Sequence, residues 1–144
     1  MNKVKQILAA KGSSVVTVSE DATVLQALQL MAEKQVGSVL VTSADGVVGI
    51  FTERDFARRV GLVEGRPSAI KVKEVMTREL ITIKPADSVN VCMELITEKR
   101  IRHLPVLEEG HLVGIVSIGD VVKDIIEELQ FMVKQLENYI TGLR

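Results

Sequence analysis

Aromatic side chains are nearly missing from this sequence: they make up 3% of it, and tryptophan is absent. Its core must therefore be aliphatic, and the stacking platforms that hold single-stranded nucleic acid cannot be assembled. An excess of one charge is also missing. The formal net charge is −1, so no basic field draws in a polyanion, and nucleic acid is not expected as a partner. The single cysteine, Cys92, excludes an intramolecular disulfide; between Val91 and Met93 it reads as a small buried hydrophobe, not a reactive thiol. The two histidines, His103 and His111, belong to no cluster with metal-ligand spacing. No phosphate loop and no Ser/His/Asp order stands out, so no catalytic function and no metal are expected. No apolar run reaches the ~18 residues of a membrane span. The amphipathic start, Met1 to Ile7, lacks the apolar core of a secretory signal. These absences predict a cytoplasmic protein with neither membrane nor nucleic acid as partner.

What the sequence does have is aliphatic patterning, with 47% hydrophobic residues. Val4, Ile7 and Leu8 recur at helical spacing and Gly12 follows, which predicts a short lead helix. The β-branched run Val15-Val16-Thr17-Val18 reads as a strand. Ser19 and Asp21 then offer capping oxygens to a helix carrying Val24, Leu28, Met31 and Ala32, with Gly37 as its stop. Ser38 to Thr42 and Val47 to Phe51 read as strands joined at Asp45-Gly46, a hairpin signature. A helix follows from Glu53 to about Val60. Gly61 to Lys71 reads as a connection, and Lys73 to Met76 as a short helical turn.

The pattern then returns, shifted by 65 residues. Thr17 maps to Thr82, Glu33-Lys34 to Glu98-Lys99, Val41 to Val106, and Asp55 to Asp120, with no gap between. This is a true internal repeat. Three strands and two helices in roughly 50 residues bury too little to stand alone. The expected fold is α+β (an α/β sandwich): two pseudo-symmetric units, residues 12–61 and 72–125, each a small three-stranded sheet with two helices. They are expected to pack sheet to sheet within one module, 1–144, leaving a cleft between them. A C-terminal helical extension, 126–144, completes it.

The most informative stretch occurs in both copies: Gly49-Ile50-Phe51-Thr52-Glu53-Arg54-Asp55 and Gly114-Ile115-Val116-Ser117-Ile118-Gly119-Asp120. Thr52/Asp55 and Ser117/Asp120 fit the hydroxyl-x-x-carboxylate capping box, which satisfies free N–H groups at a helix start. A cap alone requires no glycine ahead of the strand end, and no second copy. A carboxylate beside a cleft can accept both hydroxyls of a ribose, and a helix N-terminus can receive phosphate oxygens. Both roles fit the same residues.

With these motifs the chain resembles a tandem pair of CBS domains, often called a Bateman module. Arg102-His103-Leu104-Pro105-Val106 resembles the strand that precedes the motif in that family, and Val75-Met76-Thr77 the usual entry to a second unit. The resemblance implies a non-catalytic regulatory module that binds adenosine ligands (AMP, ADP, ATP, sometimes NAD or S-adenosylmethionine) and signals to a separate regulated protein. It implies that Asp55 and Asp120 hold ribose hydroxyls, while Thr52 and Ser117 contact ribose or phosphate. The strands beginning at Thr17 and Thr82 would offer backbone groups to adenine, between apolar side chains such as Val39 or Leu104. Glu53, Arg54, Ile118 and Gly119 complete the two motifs, and Pro105 the strand beside the second. Arg102 and His103 would face phosphate. The first copy has Gly37 and Ser38 there, leaving Arg54 as its candidate cation, so the second site is expected to favour the more phosphorylated ligand.

Beyond Val121, apolar residues Ile125, Leu129, Met132, Leu136, Tyr139 or Ile140, and Leu143 step by fours and threes, a heptad-like stripe. It predicts either a helix packed back on its own domain or a helix at a homodimer interface. A ligand-independent dimerisation or docking protein acting through that helix is the alternative function.

Overall fold

The computed structural model describes residues 2–142. The chain divides into two compact units: Ser14–Ile81 forms one, and the segments up to Ser13 and from Thr82 onward together form the other.

In the first unit, β1 (Thr17–Ser19), α2 (Val24–Lys34), β2 (Ser38–Ser43), β3 (Gly46–Thr52) and α3 (Glu53–Arg59) follow the short helix α1 (Val4–Lys11) in the chain. The sheet order is β1-β2-β3. β1 runs parallel to β2 across the α2 crossover, and β2 and β3 form the hairpin expected at Asp45-Gly46. Val24, Ala27 and Met31 line one face of α2 and pack on Val39, Val41 and Phe51 of the sheet. Each such side chain contributes about 1.5–3 kcal/mol when fully buried. A helical turn, α4 (Val72–Val75), closes this core with Val72, Val75 and Met76.

The second unit repeats the plan with α5 (Val89–Lys99), β4 (His103–Glu108), β5 (His111–Ser117) and α6 (Ile118–Thr141). Both hairpins break register at equivalent places, between Val41 and Thr42 and between Val106 and Leu107. The second sheet differs from the expected three strands. It has two strands, β4 and β5, and its third member shrinks to a bridge between Ile83 and Val106. Proline explains the loss. In the first unit the Leu40 N–H donates to the Val16 carbonyl at 3.0 Å; the equivalent position in the second is Pro105, which has no N–H to give. What remains is Ile83 N–H to Pro105 O at 3.0 Å and Leu107 N–H to Ile83 O at 2.9 Å.

Two helix boundaries also differ from expectation. Thr23, not Ser19 or Asp21, caps α2: its hydroxyl accepts from the Gln26 N–H, and the Gln26 side chain closes the box on the Thr23 N–H. The helix ends at Gln35 in the left-handed conformation (φ 55°), ahead of Gly37, and Arg100 (φ 54°) does the same for α5.

The compact units cut across the repeat boundaries because the segment ahead of each repeat is built into the unit of the other. Those segments are themselves a repeat: Val4-Lys5-Gln6-Ile7-Leu8 and Val72-Lys73-Glu74-Val75-Met76, shifted by 68 residues. Their backbones dock identically. The Val4 N–H donates to Asp87 O (2.9 Å) and the Val72 N–H to Ala22 O (2.8 Å), while Val89 N–H donates to Asn2 O (3.0 Å) and Val24 N–H to Ile70 O (2.8 Å). Each segment then passes over a glycine of the hairpin. A Cβ on Gly49 would lie 2.6 Å from Met76 Sδ and 2.8 Å from the Thr77 carbonyl; one on Gly114 would lie 2.7 Å from Leu8 Cδ2. The glycine ahead of each capped strand end is thus a seat for the lead segment.

The two seats differ in hardness. Gly49 faces a backbone carbonyl, held by paired Ile50–Thr77 hydrogen bonds of 2.8 and 2.9 Å, whereas Gly114 faces only a leucine tip that can rotate. Gly49→Ala is expected to destabilise the protein by about 1–3 kcal/mol, the usual cost of overpacking, and Gly114→Ala by clearly less. Urea unfolding of the two variants checks this, and equal losses would contradict it.

Candidate functional site

Each unit carries one hydroxyl-capped helix start, and the sheet register assembles it. In the first, β2 and β3 pair Ser38 with Thr52, and the Glu53 N–H donates to the Gly37 carbonyl at 3.1 Å. In the second, β4 and β5 pair His103 with Ser117, and the Ile118 N–H donates to the Arg102 carbonyl at 2.8 Å. The structure therefore gathers Gly37, Ser38, Thr52, Glu53 and Asp55 in one unit, and Arg102, His103, Ser117, Ile118 and Asp120 in the other. Arg54 and Gly119 follow in the first turns of α3 and α6. Thr17 and Thr82 are exposed; Thr17 pairs with Leu40, two residues along the sheet from Ser38.

Both capping boxes form. The Asp55 N–H donates to Thr52 Oγ1 (3.1 Å) and the Thr52 N–H to Asp55 Oδ2 (3.0 Å). The Asp120 N–H donates to Ser117 Oγ (3.2 Å) and the Ser117 N–H to Asp120 Oδ2 (2.8 Å). The two carboxylates nevertheless sit in different chemistry. Asp55 is buried, 7% exposed; its Oδ1 accepts from the Thr77 hydroxyl at 2.9 Å, with Arg59 Nε 3.7 Å away. Arg59 is in turn held by the Met76 carbonyl, 2.8 Å from its Nη1. Asp120 is more open, its side chain 21% exposed against 10% for Asp55. Its Oδ2 takes the ammonium of Lys11 at 2.6 Å, and the same Nζ donates to the Ile115 carbonyl at 3.0 Å. Burial works against the charged form of Asp120. The hydrogen bond and charge of Lys11 and the Ser117 donors outweigh it, so the carboxyl titrates below its ordinary value.

Lys11 and Thr77 are partners that capping and ribose arguments do not supply. Both follow a lead segment in the chain, but the 68-residue shift sets Lys11 against Glu79 and Thr77 against Ala9, so it does not point to them. The reading of Val39 and Leu104 as walls for an adenine ring needs correction. Val39 is 1% exposed and Leu104 is fully buried; these side chains are core. Pro105 is likewise buried. Cys92 is fully buried, and desolvation pushes its thiol pKa up to about 11, as for a packing residue. Among the described residues, no group of His, Cys, Asp and Glu is arranged to hold a metal ion, and no helix is long and apolar enough to cross a membrane.

Two stretches of the chain, residues 4–61 and 72–127, match the family model of the CBS domain. The chain belongs to the CBS-domain family. The matched stretches open on Val4 and Val72, the first residues of the two lead segments. The CBS domain-containing protein CBSX3 of Arabidopsis thaliana, a mitochondrial protein, is 36% identical over 96% of this chain and 72% of its own length. The crystal structure of the CBS domain NE2398 is 44% identical, covers 88% of this chain and 99% of that one, and superposes with a TM-score of 0.85. The CBS domain pair of MJ0100, solved with 5′-methylthioadenosine and S-adenosyl-L-methionine, shares the fold at a TM-score of 0.75 and 22% identity, over 86% of this chain and 99% of that one.

The Lys11–Asp120 pair gives this CBS protein an acid-side signature. A carboxyl whose pKa is lowered on folding contributes stability above its unfolded pKa, near 3.8, and loses it as pH falls through the folded value. Lys11→Met is therefore expected to melt below the wild type at neutral pH, with the gap narrowing once pH drops below about 4. Thermal melts across pH 2.5–7 on both proteins measure it; a gap independent of pH would contradict the pair's role.

Proposed function

We propose that this chain is a non-catalytic regulatory module, cytoplasmic, that binds adenosine ligands at sites built on Thr52–Asp55 and Ser117–Asp120. It passes the bound state to a separate protein or across a homodimer. AMP, ADP, ATP and NAD are the ligands in view. The observation that carries this reading is the duplicated helix start, in which a carboxylate closes a capping box at the first turn of a helix in a CBS fold. The carboxylate suits ribose hydroxyls, and the positive end of the helix suits phosphate oxygens. That a CBS pair of the same fold holds two adenosine compounds supports the ligand class. Arg102 and His103 flank Ser117 and Ile118, whereas Gly37 and Ser38 hold the equivalent places. The second site is accordingly the one for the more highly phosphorylated ligand.

The apolar surface of α6 favours a second reading, a dimerisation or docking protein indifferent to nucleotides. Ligand response separates the two. A compound that binds only the folded form, at a hundredfold excess over its dissociation constant, adds about 2.7 kcal/mol of stability. Thermal shift with AMP, ADP, ATP, NAD and S-adenosylmethionine is expected to show this for at least one of them. No shift with any at millimolar concentration would remove the sensor reading. Asp120→Asn is expected to abolish most of the ligand shift at the second site. Lys11→Met, which keeps the carboxylate, lowers the apo melting temperature while retaining a shift. If both variants lose only apo stability, Asp120 is a cap and nothing more. Turnover of ATP or NAD by the purified protein would overturn the non-catalytic assignment.

A further inference from the structure

Helix α6 runs for 24 residues and buries one of them, Val121. Asn2 Nδ2 donates to Asp124 Oδ1 at 2.9 Å, which ties down its early turns. From Ile126 on, its large apolar side chains are between 48% and 85% exposed. A helix without tertiary cover is marginal in water, because propensity alone barely offsets the cost of ordering it. The stripe is therefore not the cover of its own domain; it lacks cover.

The identity of the stripe says what covers it. Ile126, Val133 and Ile140 recur every seven residues, and Leu129 and Leu136 fall three residues after the first two. β-Branched residues at one core position of a heptad and leucine at the other are the chemistry that selects two parallel strands. A shallow apolar groove follows Ile126, Leu129 and Val133, bordered by Gln130, Lys134 and Glu137. In a parallel, in-register pair, the flanking neighbours across the seam are Ile125 with Gln130 of the second copy, and Met132 with Glu137 of the second copy. No like charges meet there, and Glu127, Glu128 and Lys134 fall on outer positions. Of the eight large apolar residues exposed from Ile126 to Ile140, seven, all but Phe131, fall on or beside this seam; at no more than about 200 Å² for a side chain fully exposed they offer at most roughly 800 Å² per copy, the share of one partner in a standard stable interface. Leu143, next in the sequence spacing, lies outside the described residues.

We infer that α6 pairs with α6 of a second copy of this chain as a parallel, in-register coiled coil. Ile126, Val133 and Ile140 alternate with Leu129 and Leu136 along the seam. This deepens the homodimer reading above and does not depend on the ligand.

Sedimentation of the full chain at micromolar concentration tests it, together with three variants. The wild type is expected to be a dimer, Leu136→Glu a folded monomer by its melting curve, and Phe131→Glu, on the opposite face, still a dimer. Leu136→Cys is expected to cross-link to itself on mild oxidation, since that position meets its own copy only in the parallel register, and buried Cys92 does not compete. A monomeric wild type would overturn both the coil and the homodimer. A dimer that survives Leu136→Glu would overturn the coil while leaving the homodimer in place. A dimer lost in Leu136→Glu, but with no cross-link through Leu136→Cys, would overturn the parallel arrangement.

Discussion

In each unit a lead segment packs directly over a hairpin glycine, and much else in the fold is fixed by it. Leu8 lies on Gly114 and Met76 on Gly49, at distances that leave no room for a methyl group. From that seat follow the buried Val4 and Val72, which fill the end of each core, and the backbone hydrogen bonds that bind each segment to the crossover helix. It also brings Lys11 and Thr77 to the two capping carboxylates. A glycine that looks like a strand defect is the point at which one repeat is completed by residues lying ahead of the other.

The carboxylates show how one local device acquires two characters. Asp55 and Asp120 close the same box, at the same place in the repeat. Yet one is buried against a threonine hydroxyl and the other is partly open against an ammonium. The difference comes from the lead segments and not from the motif. Divergence between the two sites can therefore arise in residues 2–13 and 72–81 without disturbing either cap.

What the sequence made legible follows the range of the interactions. Thr52/Asp55 and Ser117/Asp120 are three residues apart, so their boxes could be read directly. The hairpins and the 65-residue repeat are equally local signals. The cap of α2 was harder, because Ser19, Asp21 and Thr23 all carry suitable oxygens; Gln26, which closes the box on Thr23, decides among them. The helix ends at Gln35 and Arg100 have no glycine to announce them. The shortened third strand of the second unit was written in Pro105, whose missing N–H faces the place where a partner carbonyl would be. The family resemblance implied that Val39 and Leu104 flank an adenine ring; they lie in runs of consecutive buried residues, Ser38 to Val41 and Leu104 to Val106, and are themselves buried. Lys11 and Asp120 are separated by most of the chain, and no periodicity connects them.

One unit is continuous in the chain and the other is interrupted by it. The interrupted unit draws its first helix from the beginning of the sequence and its sheet from the second half. Helix α1 and its seat on β5 lie on either side of Ser14–Ile81 in the chain, whereas Ser14–Ile81 contains all of its own parts. Loop closure across so many residues comes late in folding. Docking α1 closes that loop, and it sets Lys11 against Asp120.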